Sequence, residues 1–470
     1  MFQLGLRMID EGIITKAQLD VAVERQHRMG GRLGQNLVAL GFVKDEDLKQ
    51  LFVRTPCAPQ TIEEAKLDPS LVTDLVLKHL LFMGEFKMAD IAERIKLPVS
   101  IVEGALEELR RDKFIEVKGS SSYTKMAYVF KATEAGLKRG NDLLELCRYA
   151  GPAPVCLDDY RATVESQTVK STTIDEKGLK KALSHLVLNE NILQRLGPAI
   201  SSGQAIFIYG PSGNGKSAIA ESIGKVFPDT IYVPYALTVG GQIIRVYDPV
   251  NHEQVEPADS QEGVDQRWVL IKRPIVITGG ELTLNMLDLE FNPISKYYEA
   301  SLQMKANNGL FIIDDFGRQQ AEPARILNRW IVPLDRQIDF VTLSTGMKFA
   351  IPFDMVVVFA TNLDPHYLVD EAFQRRIHYK VKICQPNDGE FLEIFKMVCK
   401  ANGITFNQEV YDYLLNDLYA RDGRTRNACH PRDLIEQIIV DSHYYGKAPH
   451  LTRENMERAC DNYFISDETA

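Results

Sequence analysis

The stretch IFIYGPSGNGKSAIAESIG, residues 206–224, constrains this chain more than any other. Four apolar residues run into a glycine-rich turn, a Lys-Ser pair and a series of helix formers. The pattern G-x-x-x-x-G-K-[S/T], set between a buried strand and a helix, builds a loop whose backbone N–H groups converge on a phosphate at a helix N-terminus. Gly210, Pro211, Ser212, Gly213, Asn214 and Gly215 form the cradle, Lys216 reaches the β- and γ-phosphates, and Ser217 holds Mg²⁺. The expectation is a site for ATP or GTP with its magnesium ion, on a parallel α/β sheet.

Such a site needs an acid at the end of a second buried strand. GLFIIDDFGR supplies Asp314 as the Mg²⁺-organising carboxylate, and Asp315 follows where a group that orients water is needed. Asp315 is one methylene shorter than the glutamate common there. Burying an unpaired Asp pair only for packing would be costly. MVVVFATNLDP is a third buried strand, ending at Asn362. LVDEAFQRRIHYKV then carries Arg375 and Arg376 just before a strand, and ACHPRDLIEQII opens a helix with Arg432 in its first turn.

With these motifs in this order the chain resembles the AAA+ ATPases over roughly residues 170–465. The resemblance implies ATP hydrolysis at the subunit interfaces of a homo-oligomeric, hexameric ring with a small helical lid. Asn362 and Arg432 match the sensors of the γ-phosphate, and Arg375 or Arg376 the finger supplied in trans. A guanidinium there neutralises charge on the transferring phosphoryl group. Residues 324–353, a helix and a hairpin between Asp314 and Asn362, are similar to the MoxR-like and magnesium-chelatase-like group, which remodels or matures protein partners. Residues 274–300 are a candidate central-pore loop with Phe291, Tyr297 and Tyr298 as candidate gripping residues, core packing being the preferred reading for the tyrosines. Residues 239–273 are an insertion without readable chemistry.

Ahead of this module lies an internal repeat. Leu4, Gly5, Met8, Gly12, Ile14 and Leu19 recur as Leu33, Gly34, Leu37, Gly41, Val43 and Leu48. Each copy is a helix, a glycine turn and a second helix, with Thr15 and Gln18 placed as a capping box in the first. The unit resembles the N-terminal domain of bacterial type II secretion and type IV pilus assembly ATPases, some of which bind cyclic di-GMP. The resemblance implies that ligand at Leu4, Gly5, Arg32, Leu33 and Gly34, and a pilus or secretion partner. Gln3 replaces the first arginine of that pattern and Thr55 the second glutamine. Next come three helices and a hairpin in winged-helix order. Residues 71–140 hold 12 Lys/Arg against 10 Asp/Glu, weak for a binder driven by phosphate contacts, so a protein-interaction role is preferred to DNA reading.

The expected architecture is a multidomain α/β chain. Residues 1–54 are the helical repeat, 55–70 a linker, 71–140 the winged helix and 141–168 a second linker built around Pro152 and Pro154. Residues 169–385 are the nucleotide-binding α/β domain and 386–470 the helical lid. A net charge of −10 speaks against a strongly electrostatic nucleic-acid binder. Seven cysteines without a C-x-x-C pair fit a reducing cytoplasm. No apolar run is long enough to span a membrane, and the nine histidines form no metal motif. The preferred function is an ATPase that remodels or regulates a protein partner under N-terminal control. The alternatives are an ATP-dependent DNA-binding regulator and a nucleotide-gated scaffold with little turnover.

Overall fold

The buried strands are short runs of β-branched and aromatic residues, and alternation along them decides which layer each side chain enters. The computed structural model describes residues 8–9, 12–29, 33–44, 55–120, 128–172, 174–256, 263–365 and 374–464. Five runs form a parallel sheet: β1 (Ile206–Tyr209), β2 (Ile275–Thr278), β3 (Leu310–Ile313), β4 (Val356–Thr361) and β5 (Tyr379–Lys382). Their spatial order is β2-β3-β4-β1-β5. Ile206, Ile208, Leu310, Ile312, Val356 and Val358 face one layer, against Ile219 and Ile223 of α1 (Lys216–Gly224). The alternate residues Phe207, Phe311, Ile313, Val357 and Phe359 surround Trp330 of α2 (Pro323–Arg336) on the other side. β4 is buried along its whole length, as a parallel strand covered on both faces must be. After α2 comes the hairpin of Ile338–Thr342 and Lys348–Pro352.

The insertion after α1 is larger than residues 239–273. Thr230–Pro234 pairs with Trp268–Lys272, and a second five-stranded sheet runs Glu290–Asn292, Tyr297–Glu299, Gln242–Arg245, Ala236–Val239, Val155–Cys156. Its last strand comes from the stretch expected as the 141–168 linker. Val155 and Cys156 lie parallel to Leu237 and Thr238, and Leu157–Ser166 is a helix with Tyr160 and Val164 buried. A two-residue strand is too short to show a period in the sequence.

Arg267 rivets this region. Its side chain is 3% exposed and its Asp265 partner 4%. Nε donates to both carboxylate oxygens at 3.0 and 3.1 Å and Nη2 to one at 2.7 Å. Nη1 donates to the Ala65 and Pro154 carbonyls, one from each expected linker. Residues 55–70 are also held by backbone bonds, from Asp265 N–H to Pro56 O and from Ala58 N–H to Gly263 O. The candidate pore segment is docked as well. Arg148 N–H donates to Ser295 O at 2.8 Å, and Lys296 bonds the Glu145 carbonyl. Tyr298 is 2% exposed, and Tyr297 packs edge-on against Tyr149. Core packing thus takes both tyrosines and leaves Phe291, 40% exposed, at the surface.

The N-terminal units follow their sequence periods. Gln18 N–H donates to Thr15 Oγ1 and Thr15 N–H to Gln18 Oε1, a reciprocal cap on the helix Lys16–Met29. Met8, Ile14, Leu19, Ala22, Leu33, Leu37 and Val43 form one core. Leu33 therefore packs inward, 5% exposed, which removes its side chain from the expected ligand set. Gly34 lies in the helix Leu33–Ala39, while Leu4, Gly5 and Arg32 lie outside the described residues. Helices Pro69–Leu80, Met88–Ile95 and Val99–Arg111 then pack with an antiparallel sheet of Glu85–Lys87, Tyr128–Ala132 and Ile115–Ser120. At the other end, helices Asp388–Ala401, Gln408–Tyr413, α3 (His430–Tyr444) and Arg453–Tyr463 share a separate core.

Candidate functional site

The carboxyl ends of β1, β3 and β4 converge because the sheet sets these strands side by side. In an open parallel sheet, ligands bind beyond these ends, where the strand order reverses. The loop after β1 bends at Gly210, where φ is +147° and a Cβ would fall 1.9 Å from Ile383 O. Only glycine lets β1 leave the sheet so close to the chain that follows β5. Gly215 N-caps α1 without a side-chain hydrogen bond, so α1 presents its free N–H groups to the loop's hollow.

Lys216 is 8% exposed and its ammonium donates to Pro211 O at 2.9 Å. Burial pushes the Lys216 pKa below its usual range, while the charges of Asp315 and Asp314 pull it back up. A buried cation hydrogen-bonded to a carbonyl, with two carboxylates nearby, is suited to exchanging that carbonyl for a phosphate oxygen. Ser217 Oγ donates to Asp314 Oδ1 at 2.9 Å across 97 residues. Two hard oxygen ligands at this spacing fit Mg²⁺, which takes one or two protein oxygens and keeps water and phosphate for its other positions.

Asp315 is exposed and its φ is +48°, a left-handed conformation that aspartate tolerates better than most residues. Its N–H donates to Asp314 Oδ1 at 3.0 Å. Gln319 fixes the turn, its Nε2 donating to the Asp314 and Asp315 carbonyls and its Oε1 accepting from Gly317 N–H. Thr361 ties the three strand ends together. Its hydroxyl donates to Phe316 O at 2.6 Å, its carbonyl accepts from Gly210 N–H, and Phe316 N–H donates to Ala360 O. Asn362, the next residue, is therefore placed beside both the phosphate loop and the acidic turn. Gln319 and Thr361 escape the motif pattern, since a lone Gln or Thr in a loop carries no signal of its own.

The lid meets the same loop: Cys429 N–H donates to Gly213 O at 2.8 Å and Ala428 N–H to Asn214 Oδ1 at 3.1 Å. This seats the first turn of α3 over the cradle. Arg432 in that turn has a side chain 71% exposed and is engaged by Asp433 at 2.9 Å. The two arginines after β4 differ. Arg376 Nε donates to both Asp335 oxygens at 3.0 and 2.9 Å within its own chain, whereas Arg375 is exposed.

A family model described as a domain of unknown function (DUF8689) matches residues 367–462, the lid and the segment leading into it. No curated protein matches the chain. Among solved structures, NtrX from Brucella abortus in complex with ADP is similar at 14% identity and a TM-score of 0.37, over 71% of this chain and 67% of that one. A RuvB variant from Thermotoga maritima is similar at 12% identity and a TM-score of 0.33, over 64% of this chain and 75% of that one.

Proposed function

We propose that this chain is an ATPase of the AAA+ type that uses hydrolysis between subunits to remodel or regulate a protein partner. The bond between Ser217 and Asp314 carries this reading, because it joins the oxygens that MgATP requires from segments 97 residues apart. Lys216 binds the β- and γ-phosphates, and Ser217 and Asp314 hold Mg²⁺, which withdraws charge from the phosphates when bound. Asp315 accepts a hydrogen bond from the attacking water and orients it. Asn362 positions the γ-phosphate side of the site, and Arg432 approaches it from the lid. Arg375 is the residue offered to a neighbouring subunit, with Arg376 committed to Asp335.

The N-terminal units act in this reading as a fixed control surface. The outer face of the helix Val99–Arg111 carries Glu103, Glu107 and Glu108, and Ser100 Oγ donates to Gln60 O, so residues before the helical unit lie along it. A partly covered third helix whose charge is nearly even, Glu103, Glu107 and Glu108 against the exposed Arg110 and Arg111, speaks against DNA reading. Cyclic di-GMP is the ligand class that the repeat's sequence suggests, and a pilus or secretion component the partner class. Both rest on that resemblance.

Steady-state ATP turnover measured across protein concentration, with and without cyclic di-GMP and with Lys216→Ala as the blank, tests the proposal. Specific activity that rises with concentration supports catalysis between subunits, and a dinucleotide effect supports N-terminal control. A second reading, a nucleotide-gated scaffold, is favoured by the short, exposed Asp315. It requires tight ATP binding, turnover no higher than the blank, and a gain in turnover on Asp315→Glu.

A further inference from the structure

The contact between the phosphate loop and the lid is made by a residue that the loop's consensus leaves free. Asn214 is 5% exposed and uses both ends of its amide. Nδ2 braces the loop from within, donating to Pro211 O at 3.3 Å and Ser212 O at 3.2 Å. Oδ1 accepts from Ala428 N–H at 3.1 Å. Two carbonyls at one end and an N–H at the other leave a single sensible amide orientation. The neighbouring backbone closes the same seam, with Cys429 N–H on Gly213 O at 2.8 Å. Gly213 has φ +74°, and a Cβ there would lie 2.7 Å from Cys429 Sγ, so the approach admits no side chain.

Pro211 O is the pivot. It accepts at once from Asn214 Nδ2 and from Lys216 Nζ, the latter at 2.9 Å. A phosphate that draws Lys216 away leaves this carbonyl to Asn214 alone, and any resulting shift of the amide moves the acceptor under Ala428. We propose that Asn214 is a positioning residue that couples occupancy of the phosphate loop to the seating of the lid. This rests on the nucleotide-binding reading above.

Hydrogen exchange of the full-length chain, followed by mass spectrometry over residues 427–434, separates the two jobs of the amide. Asn214→Asp keeps the acceptor facing Ala428 and loses both donors, whereas Asn214→Ala loses everything. Without nucleotide, Asn214→Ala should speed exchange of the Ala428 and Cys429 amides by roughly 2- to 10-fold, the range for one net hydrogen bond. Asn214→Asp should stay near wild type there, and residues 453–463 should be unchanged in both variants. Asp behaving like Ala would mean that Asn214 only braces the loop, and Ala matching wild type would mean no clasp at all; either overturns the proposal. With each protein held at an MgADP concentration that a fluorescent ADP titration shows to saturate it, the wild type should change its exchange over 427–434 and Asn214→Ala should not. An unaltered ADP response in Asn214→Ala would also overturn the coupling. Failure of the wild type to bind ADP would sink the nucleotide reading instead, while the nucleotide-free comparison would still decide the clasp.

Discussion

Replacing Arg267 by Met tests whether the N-terminal helical unit is fastened to the nucleotide-binding domain by one buried side chain. The arginine makes three donor contacts to Asp265 and one each to Ala65 O and Pro154 O. Methionine fills similar volume but leaves the carboxylate with only the backbone N–H of residue 267 at 3.0 Å. Breaking a buried pair from one side costs about 3–5 kcal/mol, and each orphaned carbonyl adds about 1 kcal/mol or more. The sum is about 5–7 kcal/mol, and at about 2–4 °C per kcal/mol for a unit of this size the melting transition that contains the seam should fall by roughly 10–28 °C. Differential scanning calorimetry reads that shift, and limited proteolysis should find new cleavage in residues 56–68 and 147–154. Pairing Arg267→Met with Asp265→Leu should recover most of the loss, since apolar replacement of both partners is often close to neutral. A single variant that melts within about 2 °C of wild type, or a double variant no better than the single, would refute the rivet.

Two further outcomes follow from geometry. Arg375→Ala should lower ATP turnover by about 10³-fold or more with an unchanged melting temperature. Arg376→Ala, which loses a partly exposed pair with Asp335, should cost under about 1 kcal/mol of stability and leave turnover largely intact; the reverse pattern would exchange their roles. Stability should also fall with acid. His252 is buried, accepts from Asp248 N–H through Nδ1 and faces Lys305 O through Nε2, so it is held neutral, and burial lowers its pKa. Burial raises Asp248, but bonds from Lys305, Val250 and Asn251 outweigh it and bring its pKa to about 2. Both groups bind protons more readily in the unfolded chain, so their contribution is complete above the ordinary histidine range. It falls first as pH drops through the lowered value of His252, then between about pH 4 and 2 for Asp248. Urea midpoints that stay flat from pH 7.5 down to 4, within about 0.2 M, would contradict this.

The parts of the proposed nucleotide site are legible in sequence because each is local. A phosphate loop is one strand, one turn and one helix start, and Asp314 and Asn362 each end an apolar run that can only be a buried strand. What escapes is whatever depends on a partner far along the chain. Arg375 and Arg376 are indistinguishable until Asp335, at the end of α2, takes one of them. For Tyr298 the sequence favours core packing over gripping, but what it packs against, the strand Gln242–Arg245 and the core around it, is visible only in the fold. Residues 55–70 and 141–168 read as linkers because Pro and polar residues break every period, although their carbonyls are what Arg267 needs. Leu33 belongs equally to a ligand motif and to a helix core, and only its packing against Met8 and Leu37 separates the two.

The strand Val155–Cys156 has a consequence for how such a chain can be cut and recombined. A residue boundary drawn at 168, where the expected domain begins, would strip the outermost strand from the insertion's sheet, along with the helix that carries Tyr160 and Val164. It would leave Ala236–Val239 as a bare edge, the kind of surface that recruits strands from other molecules. Inheritance of the nucleotide-binding module therefore drags its upstream neighbour along. Exchange of whole modules is favoured ahead of residue 55, where the described residues of the helical repeat contribute no strand to a sheet.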